Sequence, residues 1–275
     1  MIASLPMYDF DEVRSDTNAL WTAWALQLRN LGVPAPDHLE RPRSDLLGHW
    51  RTADLLLGQM CGYPYRAWLS ARLSVVGTFG YRGVAQSGRG RCVVIGHRTD
   101  NRSLKGRRAP TIAVNGSDSL TGWVSFGVAL RDAGIDRVGE TTMTGAHVLS
   151  VAAVATQRAE LASIDPVTFA LLERIRPELT SQVRVVGFGP EVACPPLVTA
   201  YPELVEVLRA TAHDAVKTAA TGTCEALLID RFVPGDSAGY DPVLDYAVVA
   251  ADVLGEPGTE APQSALSAPA GLSRN

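Results

Sequence analysis

Apolar and polar positions alternate along this chain in two rhythms. Short runs rich in Leu, Ile and Val read as strands over Ile2–Pro6, Asp54–Gln59, Leu73–Thr78, Arg91–His97, Thr111–Asn115, Leu161–Ile164 and Val183–Gly187. Between them the spacing widens to the helical period. The stretch Asp16–Leu31 puts Leu20, Trp24, Leu28 and Leu31 on one face and stops at Gly32-Val-Pro. Further helices are predicted over Tyr65–Ala71, Gly122–Ala133, Ala146–Arg158 and Pro166–Glu178. After Cys194-Pro-Pro-Leu-Val-Thr199 the pattern becomes helical, clearest at Pro202–Lys217 and Asp241–Leu254. Strand and helix in alternation predict an α/β protein with largely parallel sheets. The last stretch, 256–275, is rich in Pro, Ala, Ser and Gly and is expected to be a disordered tail.

The chemistry concentrates where strands turn into helices. In Thr111-Ile-Ala-Val-Asn-Gly-Ser-Asp-Ser-Leu-Thr-Gly-Trp123, a β-branched run breaks at Asn115-Gly116, hydroxyl and carboxylate residues follow, and a helix begins near Thr121. Free amides at a helix start, with the positive end of its dipole, suit an oxyanion, and Ser117, Ser119 and Thr121 add hydroxyl donors. Asp118 or Ser119 equally suits a plain N-cap. Thr144-Gly-Ala-His147 repeats the arrangement and places His147 in a first helical turn, where the dipole favours a neutral imidazole. In Ser163-Ile-Asp165-Pro166 the aspartate suits an N-cap and the proline the first helical position. Gln59-Met-Cys-Gly-Tyr-Pro64 and Ser4-Leu-Pro-Met-Tyr8-Asp9 are two more strand ends carrying polar groups. In open α/β sheets ligands lie beyond the carboxyl ends of strands, so these turns can converge on one crevice.

Composition sets bounds on partners. At 275 residues, with 46% hydrophobic and 20% charged residues, the chain is long enough for one large domain or two lobes. A net charge of −4 does not point to nucleic acid. No apolar run is long enough to span a bilayer. Cys61, Cys92, Cys194 and Cys224 are scattered with no metal-ligand spacing, so neither a metal nor another cofactor is expected. The start lacks a basic and apolar secretory signal, which places the chain in the cytoplasm as written, or in the periplasm if an export signal has been removed. From Arg82 to Arg108 there are eight basic residues and one acid, read as a solvated loop and an edge strand.

Five motifs in order carry a family resemblance: Leu-Pro-Met-Tyr-Asp near the start, Asp54–Pro64, Ala113–Gly122, Thr144–His147 and Ile164–Asp165. Together they resemble the phosphate/phosphonate-type substrate-binding proteins of ABC importers. The resemblance covers about Ile2 to Thr199. It implies the type II periplasmic-binding-protein fold, with two α/β lobes and a ligand cleft between them. Lobe 1 would comprise 1–90 plus 196–255, and lobe 2 would comprise 91–195. It further implies a small oxyanion ligand (phosphate, phosphonate or a similar organic anion), an ABC permease as partner, and binding without catalysis. Tyr8, Gln59 and Tyr63 would contact the ligand from lobe 1. Ser117, Ser119, Thr121 and Gly122 would hold its anionic head with help from His147, and Asp165 would meet a polar or cationic part. Two features depart from the family pattern: Leu120 interrupts the hydroxyls, and Gly90-Arg91-Cys92 stands where relatives often carry Tyr-x-Ser. A rival reading is a cytoplasmic lyase or decarboxylase on the same fold, with His147 or Asp165 as acid or base. A ligand-sensing module using the basic Arg82–Arg108 window is a third.

Overall fold

The computed structural model describes residues 1–42 and 45–255; the expected tail at 256–275 lies outside the described residues. In chain order the elements are β1 (Ile2–Ser4), α1 (Arg14–Asn30), α2 (Leu46–Trp50), β2 (Leu55–Gln59), α3 (Gly62–Pro64), β3 (Ser74–Tyr81), β4 (Arg89–His97) and β5 (Ile112–Val114). Then follow α4 (Ser125–Asp132), β6 (Thr141–Met143), α5 (His147–Ala155), β7 (Leu161–Ile164), α6 (Pro166–Ile175), α7 (Pro177–Thr180) and β8 (Val183–Ala193). The chain closes with β9 (Leu197–Thr199), α8 (Val205–Thr218), α9 (Thr223–Ala226), β10 (Ile229–Pro234) and α10 (Val243–Leu254).

Two sheets of five strands result, ordered β1-β2-β9-β3-β10 and β6-β5-β7-β4-β8, and they form the two lobes of an α/β protein. The chain crosses from the first sheet to the second between β3 and β4, and returns between β8 and β9. Because the crossings run in opposite directions, β4 pairs antiparallel with β8 and β3 antiparallel with β9. This corrects the expectation of largely parallel sheets. Only β1–β2, β5–β6 and β5–β7 are parallel. It also corrects the reading of Arg91–His97 as an edge strand, since β4 lies between β7 and β8.

The pattern after Thr199 predicts helices, yet β10 lies within that stretch, and β9, which ends at Thr199, is not among the predicted strands. Leu197–Thr199 is three residues long, and β10 carries Asp230 and Arg231 between buried Ile229 and Phe232, so neither shows a long apolar run. Pro234 ends β10 on the sheet edge, where a missing N–H costs no ladder bond.

Helix α1 buries Leu20, Trp21, Trp24, Ala25 and Leu28 against the first sheet and α8, and Trp24 Nε1 donates to Thr211 Oγ1 at 2.9 Å. Leu31, expected on that face, follows the helix and is 63% exposed, because Gly32 at φ +80° turns the chain away. Of the basic window, Arg89 pairs with Glu191, and Arg102 and Arg107 pair with Asp100 and Glu160. Much of its charge is therefore neutralised within the fold.

Helix α10 rests on α4 at Gly127, where any Cβ would overlap Ala250. Gly127→Leu should displace α10 and cost about 2–3 kcal/mol, as overpacked sites do. Denaturant unfolding checks this, and a cost below about 0.5 kcal/mol would place the two helices farther apart than described.

Candidate functional site

The strand-end turns of both sheets close around a cavity of about 100 Å3. From the first lobe Met7, Tyr8, Phe10, Leu46, Trp50, Cys61 and Gly62 line it. Asn115, Asp118, Ser119, Leu120, Thr121, His147, Asp165 and Thr168 come from the second, Gly90 from the start of β4, and Val192–Pro195 from the end of β8 and the crossing after it. The wall is mostly apolar with a few convergent polar groups, which is the usual make-up of a small-molecule site.

The turn after β5 builds the polar end. A π-helical turn over Leu120–Val124 runs directly into α4, so the helix starts at the cavity. Ser119 is the N-cap: its Oγ accepts from the Gly122 amide at 3.0 Å. The plain-cap reading therefore holds for Ser119, whose O–H keeps a proton to donate. Asp118 is left free of capping and faces the cavity instead. Thr121 Oγ1 lies 3.2 Å from His147 Nε2, while Ser163 Oγ donates to the Thr121 carbonyl at 2.6 Å. No Cβ fits at Gly122, because it would overlap Asn115 Oδ1.

Asp165 caps α6, its Oδ1 accepting from the amides of Val167 and Thr168 at 2.9 Å each. Burial nonetheless raises its pKa, outweighing those two donors. Burial also lifts Asp118 to about 6 and depresses His147 to about 4. His147 is thus a neutral imidazole, as its place at a helix start suggested. The Tyr8 phenol is held well above its ordinary range by burial and by the Asp165 carboxylate. Among the described residues no Lys or Arg lines the cavity.

Three side-chain atoms at this wall are buried without a hydrogen-bond partner: Trp50 Nε1, Asn115 Oδ1 and His147 Nδ1. The buried Tyr8 phenol faces the Asp165 carboxyl group instead. Buried polar atoms are nearly always paired, with protein or with ordered water, so these atoms leave donor and acceptor capacity facing one cavity.

Of the residues the sequence singled out, Tyr8, Ser119, Thr121, His147 and Asp165 line the cavity together. Gln59, Tyr63, Ser117 and Gly122 are not among its lining residues. Gln59 Nε2 donates to Tyr81 Oη at 3.2 Å, and the Tyr81 ring meets Tyr8 edge-on at 5.4 Å, so Gln59 stands behind Tyr8. Tyr63 packs on Trp68 with ring centroids 5.7 Å apart. Ser117 is buried in the turn itself. Trp50, Phe10, Asn115 and Asp118 were missing from the expected ligand contacts. Trp50 sits on a five-residue helix whose one local signal is the N-cap Asp45, which accepts from the Gly48 amide.

Leu120 does not stand in for a hydroxyl. It is 3% exposed and joins an apolar cluster with Trp50, Met60, Tyr65 and Tyr240. In Gly90-Arg91-Cys92 only Gly90 reaches the cavity; Arg91 Nε donates to the Gly189 carbonyl and its guanidinium lies 5.6 Å from the Phe188 ring centre.

Comparison with known proteins places this geometry. The family model described as ABC transporter, phosphonate, periplasmic substrate-binding protein matches residues 73–240. No curated protein matches the chain significantly. Among solved structures, PhnD1 from Prochlorococcus marinus in complex with methylphosphonate is similar with a TM-score of 0.69 at 13% identity, over 92% of this chain and 98% of that one. A binding-protein component of an ABC phosphonate transporter from Pseudomonas aeruginosa gives 0.62 at 13%, over 86% and 82%. The periplasmic aliphatic sulphonate-binding protein SsuA from Escherichia coli gives 0.53 at 16%, over 83% and 80%. At these identities the structures speak for the fold, which is that of two-lobed periplasmic binding proteins. With the family model matching well over half of its length, the chain belongs to the phosphonate periplasmic substrate-binding proteins of ABC transporters.

Proposed function

We propose that the chain binds a small oxyanion, a phosphonate, phosphate or related organic anion, between its lobes without transforming it, and hands it to an ABC permease. The observation that carries this reading is the set of partnerless buried atoms of Trp50, Asn115 and His147 around a cavity closed by a helix start. Ser119 and Thr121 donate to the anionic head beside the positive end of the helix dipole. His147, neutral when the cavity is empty, gains basicity when an anion arrives. Tyr8 and Asp165 face the ligand's other end, while Gln59, Tyr63, Ser117 and Gly122 support the wall from behind. The lobes divide as 1–90 plus 196–255 and 91–195, with the cavity between them.

The charge balance narrows the ligand further. Two carboxylates, Asp118 and Asp165, line the cavity with no Lys or Arg beside them. A bare dianion would meet repulsion there unless those groups take up protons. An anion that carries its own ammonium group or acidic proton pairs with both ends. Methylphosphonate is the ligand named for the Prochlorococcus relative, and aliphatic sulphonates for the Escherichia one. Both chemistries suit the hydroxyls and helix start.

Thermal unfolding with inorganic phosphate, methylphosphonate, 2-aminoethylphosphonate and methanesulfonate tests the reading. A bound ligand at a hundred times its Kd stabilises by about 2.7 kcal/mol, enough to raise Tm measurably. At least one of these anions should do so. If none shifts Tm at millimolar concentration, the oxyanion reading fails.

A further inference from the structure

The amide of Leu120 is one of the helix-start donors that have no acceptor within their own helix. It donates across the cleft, to Cys61 Sγ at 3.2 Å. The same thiol donates toward the Asp118 carbonyl oxygen, 3.9 Å away. Cys61 follows β2 of the first sheet, whereas Asp118 and Leu120 follow β5 of the second. Beside it, Gly62 makes room for the Leu120 side chain: a Cβ there would stand 2.9 Å from Leu120 Cδ2 and 3.0 Å from the Tyr240 ring. Ser119 lies between the two gripped backbone groups, and Thr121 follows directly after them. Burial pushes the thiol up to about 12, so it keeps the proton it donates.

We propose that Cys61 is a positioning residue of the binding site: it grips the Asp118 carbonyl and the Leu120 amide from the opposite lobe, and so couples lobe closure to the placement of Ser119 and Thr121. The proposal rests on the oxyanion reading above for its consequence in binding. It also accounts for Leu120 among the hydroxyls of the turn. Leu120 is apolar because its side chain plugs into the first lobe, and its amide is spent on sulfur rather than on ligand.

The test is amide hydrogen exchange at Leu120 in the full, ligand-free chain, together with calorimetric binding of methylphosphonate, in wild type, Cys61→Ser and Cys61→Ala. Losing one such hydrogen bond should speed Leu120 exchange about tenfold in Cys61→Ala and weaken methylphosphonate by a similar factor. Cys61→Ser, which keeps a donor and an acceptor, should stay closer to wild type in both. A side chain that merely fills space would make the two variants alike. Gly62→Ala, which presses on Leu120 without touching the thiol, is the second variant and should also speed exchange at Leu120. Wild-type exchange at Leu120 in Cys61→Ala and Gly62→Ala, or equal losses in Cys61→Ser and Cys61→Ala, would overturn the proposal. If wild type binds none of inorganic phosphate, methylphosphonate, 2-aminoethylphosphonate and methanesulfonate while the exchange pattern appears, the oxyanion reading falls and the interlobe grip stands.

Discussion

Gly122→Val is expected to lower affinity for a bound oxyanion about a hundredfold or more. The new side chain would overlap Asn115 Oδ1 and its Cβ would stand 3.1 Å from Ser119 Oγ. Either Asn115 leaves the end of β5, or the helix start moves away from the cavity and breaks the Gly122–Ser119 cap. Two misplaced polar contacts at about 1–2 kcal/mol each make that factor. The site is buried, so some stability goes as well, about 1–3 kcal/mol for overpacking. Calorimetry at a temperature well below the variant's Tm separates the two effects. A Gly122→Val protein that folds and binds like wild type would show that the turn at 115–122 does not face the ligand.

The second large effect is a pair of opposed pH dependences. Asp118 titrates at about 6 when folded, above its unfolded value, so the folded state holds the extra proton. Its contribution is fully present below the unfolded pKa and is lost as pH rises through about 6. His147 titrates at about 4, below its unfolded value, so the unfolded state holds the extra proton. Its neutral form costs nothing at high pH, and stability is lost as pH falls from the unfolded pKa to about 4. The two slopes overlap and oppose one another in wild type. Asp118→Asn should therefore be more stable than wild type at pH 8, by about 2 kcal/mol, with the gain vanishing below about pH 4. His147→Gln should lose the acid sensitivity that His147 brings, by a similar amount. Denaturant unfolding of each variant against wild type across this range reads the difference directly. Parallel pH profiles for all three proteins would mean that these groups are not buried as described.

The same groups sort ligands by charge. A purely anionic ligand gains from every proton the cavity takes up, so its affinity should rise as pH falls through about 6. An ammonium-bearing phosphonate needs Asp118 and Asp165 ionised, and its affinity should fall over the same interval. Comparing methylphosphonate with 2-aminoethylphosphonate at pH 8 and pH 5.5 tells which class the cavity takes.

How much of this was legible beforehand follows the range of the interactions. The helix starts at Ser119, His147 and Asp165 announce themselves through local caps, glycines and prolines, and all three prove to surround one cavity. The short strands β9 and β10 do not, because their pairing partners lie far away in sequence and their own apolar content is small. Trp50 was invisible for the same reason, on a helix too short for a period. Asp118 and Ser119 each suit a cap by type. Which of them caps the helix and which faces the cavity is decided by the turn's three-dimensional path. Leu120 looks like a lost hydroxyl in the sequence and is an interlobe contact in the fold, a distinction carried by residues far away in sequence, Cys61, Gly62 and Tyr240 among them. Gln59 stands behind Tyr8, and Tyr63 packs on Trp68 without lining the cavity.

In the proposed complex an oxyanion sits against Ser119, Thr121 and His147. Nitrogen NMR of the His147 ring during titration with methylphosphonate and 2-aminoethylphosphonate tests it most directly. A neutral ring is expected at pH 7 without ligand, and a saturable move toward a protonated or strongly hydrogen-bonded ring as ligand binds, absent in Thr121→Val or much weakened there. Ring signals that stay unchanged while either ligand demonstrably binds would contradict it, and would move the anion to another part of the molecule.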